Sequence, residues 1–330
     1  MPAPIPDESD LVASVFGATG YLAGAFPGYR PRAGQIMFAR AVQDALKSKR
    51  HLLAEAPTGT GKSLGYAAPA SYYAARTGRP VVIVTANIAL QEQIVKKDLP
   101  LLQKIVPWRF TYALMKGRNN YLCEDKRLDF EAEIATGKEP FAQATIEERR
   151  QLPVVREWAR ASAIGGTEEE SGDASDLPFE PLPSVWRRFS VAADECKKNR
   201  CKQKHHCFGN RALETARQSL VVVTNYHLLF AHLAVYAQAG VDAVLPPFAT
   251  VVLDEAHKAA DIARDFFGFR ITHETVRRTV RGLRQDEPNL VTALERASER
   301  YFGAMGALRR DKERYKARLT GDYTAPEQDR

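Results

Sequence analysis

Apolar residues in this chain fall into two kinds of run. Val81-Val82-Ile83-Val84-Thr85 is an unbroken, mostly β-branched stretch, and Leu220-Val221-Val222-Val223-Thr224 and Thr250-Val251-Val252-Leu253 are two more. Runs without polar alternation fit strands covered on both faces, as in a parallel sheet. Elsewhere the apolar positions recur at helical spacing, over Ile36–Leu46, Leu64–Ala75 and Ile88–Leu99, the last expected to close at Pro100. His51–Ala54 is a shorter strand candidate that runs into a glycine-rich loop. Strands alternating with helices predict an α/β fold built on a doubly wound parallel sheet.

The alternation is interrupted between about Phe110 and Ala216. That stretch holds all four cysteines and an acidic, Gly/Ser/Pro-rich segment over 165–184, expected to be a solvated loop. It reads as a domain inserted into the α/β domain, which then comprises residues 29–109 and 217–262. Residues 1–28, rich in proline and glycine, read as a mobile lead-in with one short helix. After Asp261 the pattern becomes helical and charge-rich over Val276–Leu283, Leu290–Leu308 and Arg309–Leu319, so 263–330 reads as a separate helical region. No internal repeat is visible.

Composition adds boundaries rather than an answer. Of 330 residues, 45% are hydrophobic and 26% charged, which suits a globular chain with a core. The net charge of +7 is a weak pointer to polyanionic partners. Met1–Asp10 lacks the basic-then-apolar order of a secretory leader, and no apolar run reaches the ~18 residues of a membrane span, so a cytoplasmic protein without membrane contact is expected. In a reducing compartment four cysteines suggest metal or catalysis before disulfides.

Candidate chemistry begins at Ala56-Pro57-Thr58-Gly59-Thr60-Gly61-Lys62-Ser63. Gly59 and Gly61 let backbone N–H groups turn inward, Lys62 can reach the β- and γ-phosphates, and Ser63 can ligate Mg²⁺. Ala56 replaces the first glycine of the general pattern. The helix from Leu64 turns its N-terminus to the anion. About 190 residues on, Val251-Val252-Leu253 should carry Asp254 and Glu255 to the carboxyl end of a buried strand, where open α/β sheets bind ligands. Asp254 is the candidate Mg²⁺ holder, Glu255 the candidate base for an attacking water, and His257 a residue coupling the site to its neighbours. Arg32 and Gln35 lie about a helical turn apart. Gln35 could read adenine and so favour ATP, or simply start a solvated helix.

Cys123 and Cys196 have 72 residues between them, and Cys201 and Cys207 follow. A zinc site aided by His205 or His206 and an iron–sulfur cluster on four thiolates both remain open from spacing alone. Lys197, Lys198, Arg200, Lys202, Lys204 and Arg211 surround these cysteines with Phe208 among them, a mixture that suits phosphates and stacked bases of a single strand. Lys116 and Arg118 form a second, smaller basic group.

Taken together these elements resemble the iron–sulfur DNA helicases of superfamily two, the XPD/DinG group, and within it the bacterial DinG branch. Besides the loop and Asp254-Glu255-Ala256-His257, the resemblance rests on Arg32-Ala33-Gly34-Gln35, Thr85-Ala86-Asn87 with Leu90-Gln91-Glu92-Gln93, Lys116-Gly117-Arg118-Asn119-Asn120-Tyr121-Leu122-Cys123, and Thr224-Asn225-Tyr226-His227-Leu228-Leu229. Asn225-Tyr226-His227 departs mildly from the commoner Asn-His pattern. The resemblance implies a RecA-like motor domain and an ATP-driven 5′→3′ translocase on single-stranded DNA, acting on forked or displaced-strand structures. It also implies a 4Fe-4S cluster on Cys123, Cys196, Cys201 and Cys207, backbone DNA contacts at Thr85 and Gln91, and a helical tail like the start of an arch domain. A single-stranded DNA-binding protein is a candidate partner, and a monomer is expected.

The second motor domain of such helicases, with its Gln-x-x-Gly-Arg-x-x-Arg pattern and phosphate-facing arginine, does not appear in these residues. The chain is therefore expected to bind ATP–Mg²⁺ weakly and single-stranded DNA without unwinding duplexes, as a fragment or a naturally short relative. The alternatives are a truncated ATP- and DNA-binding module and a helicase-like nuclease.

Overall fold

A computed structural model describes residues 11–86, 88–137, 144–165, 171–268 and 288–307, with Asp7 and Val276 besides. The chain divides into a compact unit of residues 1–266 and a second of 267–330. In the second, Pro288–Ala307 is one helix. The expected helices at Val276–Leu283 (apart from Val276) and Arg309–Leu319 lie outside the described residues.

The first unit is built on a four-stranded parallel sheet in the order β2-β3-β1-β4, with β1 Val81–Thr85, β2 Tyr112–Leu114, β3 Val221–Asn225 and β4 Thr250–Leu253. The register pairs Ile83 with Val223 on one side and Val252 on the other. Because strand side chains alternate faces, β1 and β3 feed two cores. Ile83, Val221 and Val223 join Phe16, Tyr66, Leu99 and Trp108 on one face. Val82, Val84 and Val222 join Met115, Tyr226 and Leu229 on the other. The continuous β-branched runs are thus covered on both sides, as their sequence requires.

Helices α3 (Ala33–Ser48) and α4 (Lys62–Thr77) pack on the first core. Several expectations need correction. Residues 1–28 are not merely a lead-in: α1 (Leu11–Phe16) and α2 (Tyr21–Ala25) bury Leu11, Val15, Phe16 and Leu22 in the main core. His51–Ala54 is no strand. All four residues are exposed, Leu53 at 94%, and no strand among the described residues takes their backbone bonds. β4 is not buried either. Among the described residues it ends the sheet order and pairs with β1 alone, and Val251 and Leu253 are exposed at 38% and 43%.

Pro100 does not close a helix. α5 (Ile88–Gln93) runs through a π-helical turn, Ile94–Asp98, into α6 (Leu99–Ile105), and Pro100 lies within this continuous run just after the π-turn. The expected inserted domain also begins later than Phe110, because Tyr112–Leu114 is part of the sheet.

The insertion has its own small core. Helices α7 (Glu124–Ala135), α8 (Ile146–Gly165) and α9 (Pro183–Trp186) enclose Phe130, Val155, Ala159, Trp186 and Phe189. Two arginines fork onto one carboxylate across α7 and α8. Arg156 and Arg160 each make paired bonds to Glu131, at 2.6–2.9 Å. The acidic segment 165–184 is not a wholly solvated loop: Asp173 and Leu177 are buried, while residues 166–170 lie outside the described set. α10 (Phe208–Arg217) and α11 (Tyr226–Ala239) flank β3, and α12 (Ala259–Phe267) follows β4.

Candidate nucleotide site and cysteine cavity

The loop between residues 54 and 62 turns where its glycines permit. Gly59 and Gly61 have φ of +80° and +83°, left-handed values that a Cβ resists. A Cβ on Gly61 would also meet Gln35 Nε2 at 2.3 Å. Helix α3 braces this loop directly: Arg32 donates to Gly59 O at 2.9 Å, and Gln35 Nε2 donates to Gly61 O at 3.0 Å. Gln35 is buried, so it is not a solvated helix start. Its amide nitrogen is engaged with the loop rather than presented to a base. Thr60 Oγ1 donates back to Pro57 O at 2.6 Å. α4 opens at Lys62, which sets its unpaired first-turn N–H groups at the mouth of the loop, a ready anion site.

Lys62 Nζ lies 3.3 Å from Glu255 Oε1 and donates to Ala56 O at 3.2 Å. The loop lysine and the acid 193 positions away therefore meet at one edge of the sheet. Glu255 adopts φ +54°. A non-glycine residue held there costs about 1–3 kcal/mol and is characteristic of functional sites. Tyr66 O–H donates to Asp254 Oδ2 at 3.3 Å, and Tyr226 O–H donates to the Asp254 carbonyl at 2.9 Å. Burial pushes the Asp254 carboxyl above its ordinary range, and the Glu255 charge adds to this. Burial likewise raises Tyr66 well above its ordinary value and pushes Tyr226 up to about 12, with Asp254 contributing to both.

Two adjacent half-buried carboxylates thus stand beside one ammonium, an arrangement a divalent cation would relieve. Ser63 stands in the first turn of α4, one helical turn before Tyr66. His257 is exposed, with Nδ1 3.5 Å from Glu255 Oε2.

The four cysteines, 123, 196, 201 and 207, line one cavity together with Arg118, Tyr121 and Asn210. Cys123 caps α7 and Cys207 caps α10, so two helix N-termini face the cavity. Burial raises the Cys123 thiol above its ordinary value, partly offset by the nearby backbone N–H groups of Lys126 and Asp125. Arg118 donates to Cys207 Sγ at 3.7 Å and to Asn210 Oδ1 at 2.8 Å. The Lys198 N–H donates to Cys196 Sγ at 3.4 Å, with Lys198 itself at φ +48°. Among the described residues no three Cys, His, Asp or Glu side chains converge closely enough to hold one metal ion. His205 and His206 are exposed and do not line the cavity.

Several expected DNA contacts are enclosed instead. Phe208 is buried against Gly172 in the insertion core, so its face cannot meet a base. Arg211 covers its ring at 4.9 Å. Lys116 is fully buried, bonded to Asp173 at 2.7 Å and to Ser175 at 3.0 Å, with Glu92 at 3.6 Å. Thr85 and Gln91 are also fully buried. Lys197 is exposed but pairs with Asp125 at 2.7 Å. Lys198, Arg200, Lys202 and Lys204 are exposed around the cysteine cavity.

Sequence reading missed Tyr66, Glu92, Asp173 and Asn210. Tyr66 alone had a signal, because it follows Ser63 by one helical turn. The others reach their partners only through tertiary packing.

Residues 38–150 match the model of the DEAD/DEAH box helicases. Over 269 residues the chain is 33% identical to the ATP-dependent DNA helicase YoaA of Haemophilus influenzae, covering 81% of this chain and 39% of that protein. The ATP-dependent helicase DinG of Mycobacterium tuberculosis is 36% identical over 83% of this chain and 41% of its own length. Over most of its length the chain is similar to DinG-like DEAD/DEAH box helicases. A Bacillus subtilis relative, named a 3′-5′ exonuclease DinG, is 34% identical over 75% of this chain and 24% of its own length. The chain therefore spans about two fifths, or less, of the curated relatives it matches. The parallel sheet with flanking helices is consistent with a RecA-like helicase domain. No helix among the described residues is long and apolar enough to cross a membrane.

Proposed function

We propose that this chain is the first motor domain of an ATP-dependent DNA helicase, and that its loop and acidic pair bind and hydrolyse ATP. The observation that carries the reading is the Lys62–Glu255 contact at the carboxyl edge of a parallel sheet. Nucleotide phosphates would draw Lys62 away from Glu255, freeing that carboxylate to orient and deprotonate water. Ser63 and Asp254 would hold Mg²⁺, which supplies charge neutralisation at the phosphates. Arg32 and Gln35 keep the loop carbonyls turned outward so that its N–H groups remain available.

Cys123, Cys196, Cys201 and Cys207 would hold a 4Fe-4S cluster. Two features support this over a zinc site aided by histidine: four thiols line one cavity, and His205 and His206 face solvent. Bound thiolates would tie α7 and α10 together at their N-termini. The exposed cations at 198, 200, 202 and 204 would track a DNA strand past this region. In this reading a second motor domain outside these residues supplies the arginine that stabilises the transferred phosphoryl group. The enzyme moves 5′→3′ as a monomer on forked or displaced-strand DNA, where single-stranded DNA-binding protein is a candidate partner.

Strand displacement by the intact polypeptide on duplexes with 5′ or 3′ tails tests the activity and its direction. Displacement dependent on ATP and on a 5′ tail is expected. Nucleolytic shortening of the strands without displacement would favour the nuclease reading. Iron content and visible absorption of anaerobically purified protein test the cluster, with about four irons per chain expected and zinc alone contradicting it.

A further inference from the structure

The acid assigned to the attacking water sits on strained backbone. Glu255 has φ +54° and ψ +43°, a left-handed conformation that residues with a side chain keep only when their surroundings enforce it. A flip of the peptide between Asp254 and Glu255 would bring Glu255 to a negative φ, and would turn the Asp254 carbonyl to the opposite side. What opposes that flip is visible at Asp254. Its N–H donates to Val84 O at 2.8 Å, continuing the ladder between β1 and β4. Its carbonyl accepts from the Tyr226 hydroxyl at 2.9 Å, and its Oδ2 accepts from the Tyr66 hydroxyl at 3.3 Å. Asp254 is thereby held from both faces of the sheet, since Tyr66 belongs to the core on one face and Tyr226 to the core on the other.

Tyr226 is placed for this by chain order and register. It follows β3 directly and opens α11, whose cap Asn225 accepts the Leu228 N–H on Oδ1 at 2.9 Å. β1 lies between β3 and β4, with Thr85 opposite Asn225 and Val84 opposite Leu253. From the residue after β3, a side chain must cross the end of β1 to reach the residue after β4, which takes a long side chain ending in a donor. The Tyr226 ring is wholly buried beside Phe230, so the place of its hydroxyl is fixed.

We propose that Tyr226 is a positioning residue for ATP hydrolysis: its hydroxyl locks the Asp254–Glu255 peptide and so keeps Glu255 aimed at the phosphate end of the site. The proposal rests on the reading of Glu255 as the residue that deprotonates water. The locked peptide brings Glu255 Oε1 to 3.3 Å from Lys62 Nζ. Once phosphates engage Lys62, that ion pair no longer restrains Glu255, and the backbone held by Tyr226 keeps the carboxylate in place. A buried tyrosine needs some acceptor for its hydroxyl, and the one used here is the carbonyl whose rotation would move the base.

The test measures DNA-stimulated ATP hydrolysis by the intact polypeptide, with single-turnover rates where variants are slow, for wild type, Tyr226→Phe, Glu255→Gln and the double variant. Phenylalanine keeps the packed ring and removes only the hydroxyl, so Tyr226→Phe should fold. Its kcat should fall by about 10²-fold, the usual cost of misplacing a reacting group by ~1 Å, with KM for ATP and the Mg²⁺ midpoint unchanged. In the Glu255→Gln background the same substitution should cost almost nothing, because no carboxylate is left to aim. Wild-type kcat in Tyr226→Phe beside a slow Glu255→Gln would overturn the role of Tyr226 and leave the nucleotide site standing. So would a loss that persists undiminished in the double variant, the mark of a merely structural role. A Tyr226→Phe defect restored by high Mg²⁺ would put the hydroxyl in the service of Asp254 and overturn the proposal too. Undiminished hydrolysis in Glu255→Gln would instead remove Glu255 as the base, and the proposal with it. If Tyr226→Phe does not accumulate, Tyr226→Met, whose flexible side chain fills space without a donor, must show the same loss. A wild-type kcat there would contradict the proposal.

Discussion

Replacing Lys116 by Met should unfold the junction between the sheet and the insertion more readily without touching DNA binding. Lys116 follows β2 and is almost wholly enclosed, its side chain 2% exposed. Its ammonium sits 2.7 Å from Asp173 and 3.6 Å from Glu92, and it donates to Ser175 at 3.0 Å. Methionine fills the same volume but leaves the Asp173 carboxylate, 9% exposed, without its cation. Removing one partner from a buried ion pair costs about 3–5 kcal/mol, because the other charge stays desolvated. For a unit of this size each kcal/mol lowers the melting temperature by about 2–4 °C, so a fall of roughly 6–20 °C is expected. Adding Asp173→Asn to Lys116→Met should restore most of that loss, since it removes the stranded charge. Thermal unfolding followed by circular dichroism measures both. The salt dependence of single-strand binding, measured beside it, should keep its slope. A melting temperature within about 2 °C of wild type, with a salt slope reduced by ~0.7 for one lost phosphate contact, would return Lys116 to the DNA surface and refute the reasoning.

Three further outcomes are expected. Cys201→Ser should lower iron to well below the wild-type content and destabilise the insertion, as read by metal analysis and limited proteolysis; unchanged iron would remove Cys201 from the ligand set. Charge reversal at Arg200 and Lys202 should weaken single-strand binding and flatten its log–log salt slope by ~0.7 per lost contact, and an unchanged slope would mark these cations as merely solvated. Hydrogen bonds from Arg156, joined by those from Arg160, hold the Glu131 carboxyl down to about 2. Since the folded group ionises more readily than the unfolded one, its contribution is complete above the ordinary carboxylate range and disappears as pH falls through about 2. Glu131→Gln should therefore cost about 1–2 kcal/mol at pH 7, after discounting for solvent, and almost nothing near pH 2. Equal losses at both pH values would contradict the pairing.

How much of this was legible in the sequence depends on range. β1 and β3 were readable because burial on both faces demands unbroken β-branched runs, and Val81–Thr85 and Val221–Asn225 satisfy that demand. β4 read equally well as a strand but wrongly as buried, because a run of valines does not reveal its place in the sheet order. β2 was missed because Tyr112–Leu114 is short and has no β-branched residue. The loop and acidic pair were legible because phosphate chemistry fixes residue types at fixed spacing. Residue type alone misled at Lys116 and Phe208, whose surroundings are set by Asp173 and Gly172, 57 and 36 positions away in the chain. Nothing local distinguishes a lysine that meets phosphate from one that meets a buried aspartate.

The most direct test of the central claim compares Lys62→Ala and Glu255→Gln in the intact polypeptide, measuring ATP binding and DNA-stimulated ATP hydrolysis on the same preparations. The account predicts that Lys62→Ala loses both, because the charge facing the phosphates is gone. Glu255→Gln should keep binding, or tighten it as Lys62 is released from the ion pair, while hydrolysis falls by at least ~10²-fold, the usual contribution of a positioned base. Undiminished hydrolysis in either variant would contradict the account.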